Sequence, residues 1–341
     1  MSTTFPLFEF LEEVTRQPGT TDVTLVSDGR VAVRRNTRLA VSRLEPLARL
    51  WHATIAEHFT AHQGGSGAGA SIVLQASGRR YRATLAAHAG GASLSLRPLA
   101  ARVSSAEELR LPEGLKEYFL GLRGGLVLVG GPTGSGKSTT VASLLDSRRE
   151  AGGGKIVTIE DPVEIVHSDD EHTLFIQREL GTSVAGYAEG LELALQMNPD
   201  VIAVQEVRES AAAETALSAA LSGHLVIASM HAFTAPTVPQ RYLAVINPGM
   251  EDLGARESLA ACLEAIVLQR LLPGFDGLVP VFEVMLFRHR GERLPAMERL
   301  VRQGNWVGLR QELAEGRRNG MIQWEDSHRE RVASGLLPAV P

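Results

Sequence analysis

A glycine-rich segment in the middle of the chain has the residue types and spacing that hold a phosphate chain. Glycines let backbone N–H groups turn inward around a phosphate, because a Cβ would obstruct that approach. A lysine at the end of such a segment reaches the β- and γ-phosphates, and a hydroxyl ligates Mg²⁺. We therefore predict an ATP-binding phosphate loop, with Lys137 on the phosphates and Ser138 on Mg²⁺. Its residues are Gly131, Pro132, Thr133, Gly134, Ser135, Gly136, Lys137 and Ser138, followed by Thr139 as a further binding residue.

The neighbouring residues favour this prediction over a chance match in an ordinary glycine-rich turn. The apolar run 126–129 predicts a strand directly before the loop, and a helix is predicted directly after it. A phosphate loop requires this strand–loop–helix context. The N-terminus of the helix would add partial positive charge where the anion lies.

Two other apolar runs end in carboxylates. Glu160, Asp161 and Glu164 follow one run, and Glu206 follows the other. In open α/β sheets, ligands bind at the carboxyl ends of the strands. A phosphate-loop ATPase needs an acidic group there to hold Mg²⁺ through water or to orient the attacking water. Glu206 fits this role, whereas a solvated acidic loop stays open as the alternative for the first three carboxylates.

Two histidines, His224 and His231, flank a predicted strand at residues 225–229. We expect both on the same edge of the sheet as the acidic residues, with His231 sensing the γ-phosphate or transmitting its loss. The alternative is an ordinary, partly buried histidine. The spacing is not that of metal ligands, so we predict no zinc site.

The residues that precede the phosphate loop predict a separate, smaller α+β unit. Helical periodicity covers residues 5–15 and 44–62, and residues 63–70 predict a flexible loop. Short strands are predicted at residues 23–26, 30–34, 71–75, 81–86 and 93–97.

From residue 126 onward, apolar strands alternate with helices, which predicts a buried, parallel-rich sheet in an α/β core. The strands are expected at residues 126–129, 156–159, 201–204 and 225–229. We expect helices after Lys137, before Asn198, after Arg208 and over residues 257–272, and a charged helical tail from Pro295. The expected domains are an N-terminal domain at 1–100, a linker at 101–112, an ATPase core at 113–290 and a C-terminal helical region at 291–341.

Composition narrows the functional classes. The 341 residues carry a net charge of −5, which argues against nucleic acid as the partner. Cys262 is the only cysteine, so neither a disulfide within the chain nor a CxxC zinc pair can form. The first residues do not resemble a signal peptide, and no run approaches about 18 apolar residues. We expect a soluble, cytoplasmic protein.

Four motifs in this order resemble the ATPase superfamily of type II and type IV secretion and type IV pili. They correspond to its Walker A, Asp box, Walker B and His box. Within the superfamily the chain looks most like the PilT-like pilus retraction (twitching motility) motors. Segments that carry this closer resemblance are residues 21–25, 296–301 and 317–322, and Cys262 alone does not make the tetracysteine site of the assembly ATPases.

The resemblance implies a RecA-like P-loop core, a PAS-like N-terminal domain and a homo-hexameric ring that hydrolyses ATP with Mg²⁺. It implies a cytoplasmic location peripheral to the inner membrane, reached through an inner-membrane platform protein. Glu206 would polarise the attacking water, and the remaining site residues follow the same motifs. These are Glu160 and Glu164 near the metal with Glu160 as a ligand, His224 and His231 of the His box, and Arg82 and Arg97, which would complete the nucleotide site.

Three departures from the family pattern weaken the case for a fast motor. His88 stands where a basic group is usual near a turn, Gln205 replaces a glycine before Glu206, and Glu298 replaces an arginine. An arginine that reaches the γ-phosphate can be worth several powers of ten in rate. An ATP-binding regulatory or accessory paralogue with slow or partner-dependent hydrolysis is therefore the alternative, and a nucleic-acid motor is a less favoured third reading.

Overall fold

The computed structural model describes residues 6–17, 19–35, 38–59, 70–76, 79–249 and 252–339. The chain divides into two compact units, Met1–Ala101 and Arg102–Pro341. Within the described ranges, no helix has both the length and the apolar character needed to cross a membrane.

The first unit is a six-stranded antiparallel sheet with two helices. The sheet order is β3-β2-β1-β6-β5-β4. Its core joins Leu11 of the first helix and Trp51 of the second to strand residues such as Leu25 and Leu94. The elements are α1 (Leu7–Thr15), β1 (Thr20–Val26), β2 (Arg30–Arg35), β3 (Arg38–Arg43), α2 (Glu45–Phe59), β4 (Ala70–Ala76), β5 (Arg79–His88) and β6 (Gly91–Pro98).

Both predicted helices and all five predicted strands of this unit are present. Strand β3 is absent from the prediction, and its pattern is weak because Leu39 and Val41 are its only large apolar residues and both are exposed. Phe5, the helix end at 60–62 and residues 63–69 of the predicted loop lie outside the described residues, and Ala70 already belongs to β4.

The second unit is built around a seven-stranded sheet with helices. Its first elements are α3 (Leu115–Gly121), β7 (Gly125–Gly130), α4 (Lys137–Glu150), β8 (Gly154–Glu160), β9 (Thr173–Glu179), α5 (Tyr187–Gln196), β10 (Val201–Val204), α6 (Ser210–Leu221) and β11 (Leu225–Met230). Then come a 3-10 turn (Ala235–Thr237), α7 (Val238–Ile246), α8 (Leu253–Cys262), β12 (Leu263–Pro273), β13 (Leu278–Leu286), β14 (Arg288–His289), β15 (Glu292–Arg293), α9 (Pro295–Arg302), α10 (Trp306–Glu315), a second 3-10 turn (Gly316–Asn319) and α11 (Trp324–Ala333).

The order of this sheet is β13-β12-β7-β11-β10-β8-β9. Its strands pair in parallel except for β12 with β13. Every residue of β7, β10 and β11 is buried. Strands buried on both faces read as continuous apolar runs, which is why the sequence located these three. The predicted parallel-rich α/β core is confirmed.

The predicted helix at residues 257–272 is confirmed over residues 257–262 and wrong from residue 263 onward. Helix α8 ends at Cys262, and the chain continues as β12, which pairs in parallel with β7 and antiparallel with β13. Residues 263–269 are all buried, and the segment is mostly apolar apart from Glu264 and Gln269. Periodicity cannot distinguish such a run from a buried helix, and only its pairing with both neighbours makes it a strand.

Candidate functional site

The phosphate loop connects β7 to α4 and has a backbone that glycine alone adopts easily. Gly134 and Gly136 have φ of 74° and 87°. A Cβ at Gly131 would lie 2.4 Å from the carbonyl oxygen of Gln269, and one at Gly136 would lie 2.8 Å from Gln269 Nε2. The glycines are therefore required both by the left-handed conformation and by the close approach of β12.

Lys137, the first residue of α4, folds back over the loop. Its Nζ donates hydrogen bonds to the carbonyl oxygens of Gly131 and Pro132, each at 3.0 Å. Burial lowers the pKa of Lys137, while the negative charges of Glu206 and Glu164 oppose this effect. Ser135 Oγ is buried and has no hydrogen-bond partner in the described part of the chain. A cation and an unpaired hydroxyl in a glycine cradle fit a phosphate chain.

Gln269 supports the loop from behind, and the sequence did not reveal it. It is a buried polar residue of β12, and its Oε1 accepts a 2.6 Å hydrogen bond from Thr140 Oγ1 in the first turn of α4. Thr139 lies in the same turn. The available signal is a glutamine inside a mostly apolar run, but that run by itself also favours a helix.

Glu206 and His231 meet at the carboxyl ends of neighbouring strands β10 and β11. His231 Nε2 lies 2.8 Å from Glu206 Oε1, and the Glu206 side chain is 16% exposed. Arg208 donates to the other carboxylate oxygen at 2.6 Å. His231 Nδ1 lies 3.3 Å from the carbonyl oxygen of Gly131. The histidine therefore lies between the carboxylate and the phosphate loop, because β11 pairs with β7 on one side and β10 on the other.

Glu160 ends β8 and is held by neighbouring polar groups. Its Oε1 accepts hydrogen bonds from Thr158 Oγ1 at 2.6 Å and Gln177 Nε2 at 3.0 Å. Burial raises the pKa of Glu160, and these hydrogen bonds act in the opposite direction. Glu160, Glu164 and Ser138 line one small cavity of about 30 Å³ beside α4, which has room for about two water molecules.

This donor set fits Mg²⁺ bound together with a nucleotide. Within the described ranges, no three His, Cys, Asp or Glu side chains form a group that would hold a metal ion. Mg²⁺ commonly keeps several waters and takes one or two protein oxygens plus substrate phosphates, so it needs no cage made of protein alone. Ser138 and Glu160 both line this cavity, and a hydroxyl and a carboxylate are oxygen ligands of that kind.

The expectation that His224 lies on the same edge as the acidic residues is wrong. His224 precedes β11 and His231 follows it, so the whole strand separates them. The carbonyl oxygen of His224 accepts a 3.0 Å hydrogen bond from Gly125 N–H at the start of β7, and its ring lies 3.1 Å from Ser222 Oγ. In a parallel sheet the starts of the strands share the edge opposite the phosphate loop, so His224 is not part of this cluster.

Arg82 and Arg97 belong to the N-terminal unit, whereas the other predicted site residues belong to the second unit. The two arginines are direct cross-strand partners on β5 and β6. Their contact with a nucleotide stays a prediction.

His167 lies beside the same small cavity and is a titratable group that the sequence did not single out. Its ring stacks on Phe175 with centroids 4.3 Å apart, and its Nδ1 is buried with no hydrogen-bond partner among the residues described. Burial lowers the pKa of His167 to about 4. The unfolded chain therefore takes up this proton first, near pH 6.5, and folding stability is lost as the pH falls from there towards 4.

We expect His167→Phe to flatten this acid dependence. Phenylalanine keeps the stack on Phe175 but binds no proton, so the slope of unfolding free energy against pH should decrease by about 1 kcal/mol per unit between about pH 6.5 and pH 4. Urea unfolding across that range measures the slope. His172→Phe, at an exposed histidine, is the control for replacing an imidazole ring by a phenyl ring. An unchanged slope in His167→Phe would contradict the assignment.

The fold and the site together define a class. A parallel-rich sheet, a glycine loop between a buried strand and a helix, and a carboxylate at the end of a nearby strand characterise a RecA-like P-loop protein. Residues 67–294 match the family described as type II/IV secretion system protein. The chain belongs to that family, as its four motifs predicted.

Relatives and solved structures extend the same finding. The chain is 36% identical to the uncharacterized protein YggR of Escherichia coli K12, over 78% of this chain and 79% of that protein. It is 34% identical to the type IV pilus retraction ATPase PilT of Pseudomonas aeruginosa, over 76% of this chain and 73% of that protein. A crystal structure of the pilus retraction motor PilT with bound ADP superposes with a TM-score of 0.80 at 29% identity, covering 98% of this chain and 95% of that one.

Proposed function

We propose that this protein is a Mg²⁺-dependent ATPase motor that powers a type IV pilus-like machine of the retraction type, or a secretion machine. The observation that carries the proposal is the contact of His231 with both Glu206 and the phosphate loop. This contact supports Glu206 as the carboxylate that would face a γ-phosphate held by the loop. The relatives support the proposal, because one is a pilus retraction ATPase and a solved PilT structure contains ADP.

Each residue has a distinct task in this proposal. Lys137 exchanges its two loop carbonyls for phosphate oxygens, and the N–H groups of the loop surround the β-phosphate. Glu206 accepts a proton from the attacking water, and His231 holds the carboxylate in position. Ser138 and Glu160 hold Mg²⁺, with Glu164 beside them. Bound Mg²⁺ neutralises the charge that develops on the transferred phosphoryl group.

A homo-hexameric ring completes the proposal. Arg82 and Arg97 supply positive charge to a nucleotide held by another subunit, so hydrolysis depends on assembly. An arginine that reaches the γ-phosphate from a second chain accelerates hydrolysis by about 10³–10⁵-fold. The ring would work on the cytoplasmic side of the inner membrane, bound to a platform protein of the machine.

The test is ATP turnover measured against protein concentration, with and without Mg²⁺. A site completed between subunits predicts that specific activity rises steeply with concentration and disappears when Mg²⁺ is chelated. Tight ATP binding without turnover, even with the platform protein added, would instead identify a regulatory paralogue. Stimulation by single-stranded DNA would identify a nucleic-acid motor.

A further inference from the structure

Residues 160–167, here called the acidic loop, are hydrogen-bonded to Gln205. This residue directly follows β10, the strand that pairs with β8 on one side. Its Oε1 accepts a hydrogen bond from the backbone N–H of Asp161. Its Nε2 donates to the carbonyl oxygen of Pro162 at 3.3 Å. A single side chain thus satisfies a donor and an acceptor of the loop backbone.

A second glutamine holds the loop from the opposite side. Gln177 lies in β9, and its Nε2 donates to Glu160 Oε1 at 3.0 Å and to the carbonyl oxygen of Ile165 at 2.8 Å. Its Oε1 accepts from the backbone N–H of His167 at 2.9 Å. These contacts use both amide protons and the carbonyl oxygen of Gln177.

The two glutamines, here called the glutamine clamp, act on a segment that has few backbone partners of its own. Loops of this kind gain order through side chains that replace sheet or helix hydrogen bonds. The position of Gln205 adds a consequence, because Glu206 is the next residue. The orientation of the acidic loop is thereby tied to the end of the strand that carries Glu206.

The geometry points to Gln205 and Gln177 as positioning residues that hold the acidic loop so that Glu160 and Glu164 face Ser138 across the small cavity. This inference rests on the proposed function. Neither glutamine reaches into the phosphate loop, so both act through the carboxylates that they orient. The clamp keeps the metal-binding side of the site assembled.

Gln205→Met tests the clamp, because methionine has a similar length but cannot make either hydrogen bond. Amide exchange over residues 161–167 should accelerate. The Mg²⁺ concentration that half-saturates binding of a fluorescent ATP analogue should rise by about 10- to 100-fold, the usual effect of removing a group that orients a metal ligand. Binding of the analogue without Mg²⁺ should stay unchanged. In steady-state assays at saturating Mg²⁺, kcat should fall while the KM for ATP is retained.

Gln240→Met, at an exposed glutamine of α7, is the matched control and should leave all these quantities unchanged. Gln177→Met removes the other half of the clamp and should reproduce the effects, so it carries the test if Gln205→Met does not fold. Unchanged loop exchange in folded variants would overturn the inference. Faster exchange with an unchanged Mg²⁺ requirement would overturn it as well, since the clamp would then have only a structural role.

The proposed function can fail separately. If the wild-type protein binds the analogue but does not hydrolyse ATP under any condition, motor activity is disproved. The amide exchange and the Mg²⁺ dependence of binding still report on the clamp in that case, because neither measurement requires turnover.

Discussion

Glu206→Gln is expected to lower ATP turnover by about 10²–10⁴-fold, the usual contribution of a positioned general base. Glutamine preserves the size of the side chain but cannot accept a proton from water. Nucleotide affinity should be retained or increase, because the substitution removes a negative charge that acts on Lys137. Steady-state turnover and equilibrium binding of ATP separate the two effects.

The control for Glu206→Gln is the same change at Glu209, an exposed residue that precedes α6. Glu209→Gln should retain wild-type turnover. If turnover survives in Glu206→Gln, another group accepts the proton, and the role given to Glu206 is wrong. A joint loss of binding and turnover would show that this residue holds the structure of the site rather than performing the chemistry.

Lys137→Ala is expected to weaken nucleotide binding by about 10- to 100-fold, since hydrogen bonds to charged groups contribute about 1.5–3 kcal/mol. Turnover should become undetectable, because the same cation stabilises the charge that develops on the transferred phosphoryl group. The loop also loses the donor that joins Gly131 to Pro132. Calorimetric titration with ADP and ATP gives the affinities.

Lys116→Ala is the matched lysine control. Lys116 forms partly exposed ion pairs with Glu107 and Glu150, and such pairs contribute about 0–1 kcal/mol. Its replacement should leave nucleotide binding unchanged. If Lys137→Ala bound nucleotide as tightly as the wild type, the phosphate loop would not be the binding site, and the proposed function would lose its basis.

The local features of the site were predictable because neighbouring residues determine them. The phosphate loop requires a strand, glycines and a helix within a short stretch of chain, and the structure contains β7, the glycine turn and α4 in that order. The buried strands β10 and β11 were located by their continuous apolar runs. Their order along the chain also placed Glu206 and His231 at strand ends that point the same way.

The errors arose where a residue's environment depends on distant parts of the chain. A mostly apolar run such as residues 263–269 is compatible with a helix or a strand until its neighbours are known, and its pairing with β7 and β13 makes it β12. His224, by contrast, precedes its strand and His231 follows it, so the order of the chain already separates them to opposite edges of a parallel sheet, and the expectation of one shared edge is inconsistent with that order. Gln205 stood out only as an unusual residue, and its bonds to the acidic loop require β8 beside β10.

The sequence by itself determined the family, the phosphate loop, and Glu206 as the acidic group that follows a buried strand. These features depend on residue type and on short spacing, which backbone geometry translates directly into local structure. Only the tertiary structure decided which side chains meet: His231 between Glu206 and Gly131, Gln269 behind the loop, and the glutamine clamp on both sides of the acidic loop. The physical reason is that the order of strands in the sheet, rather than their order along the chain, sets these distances.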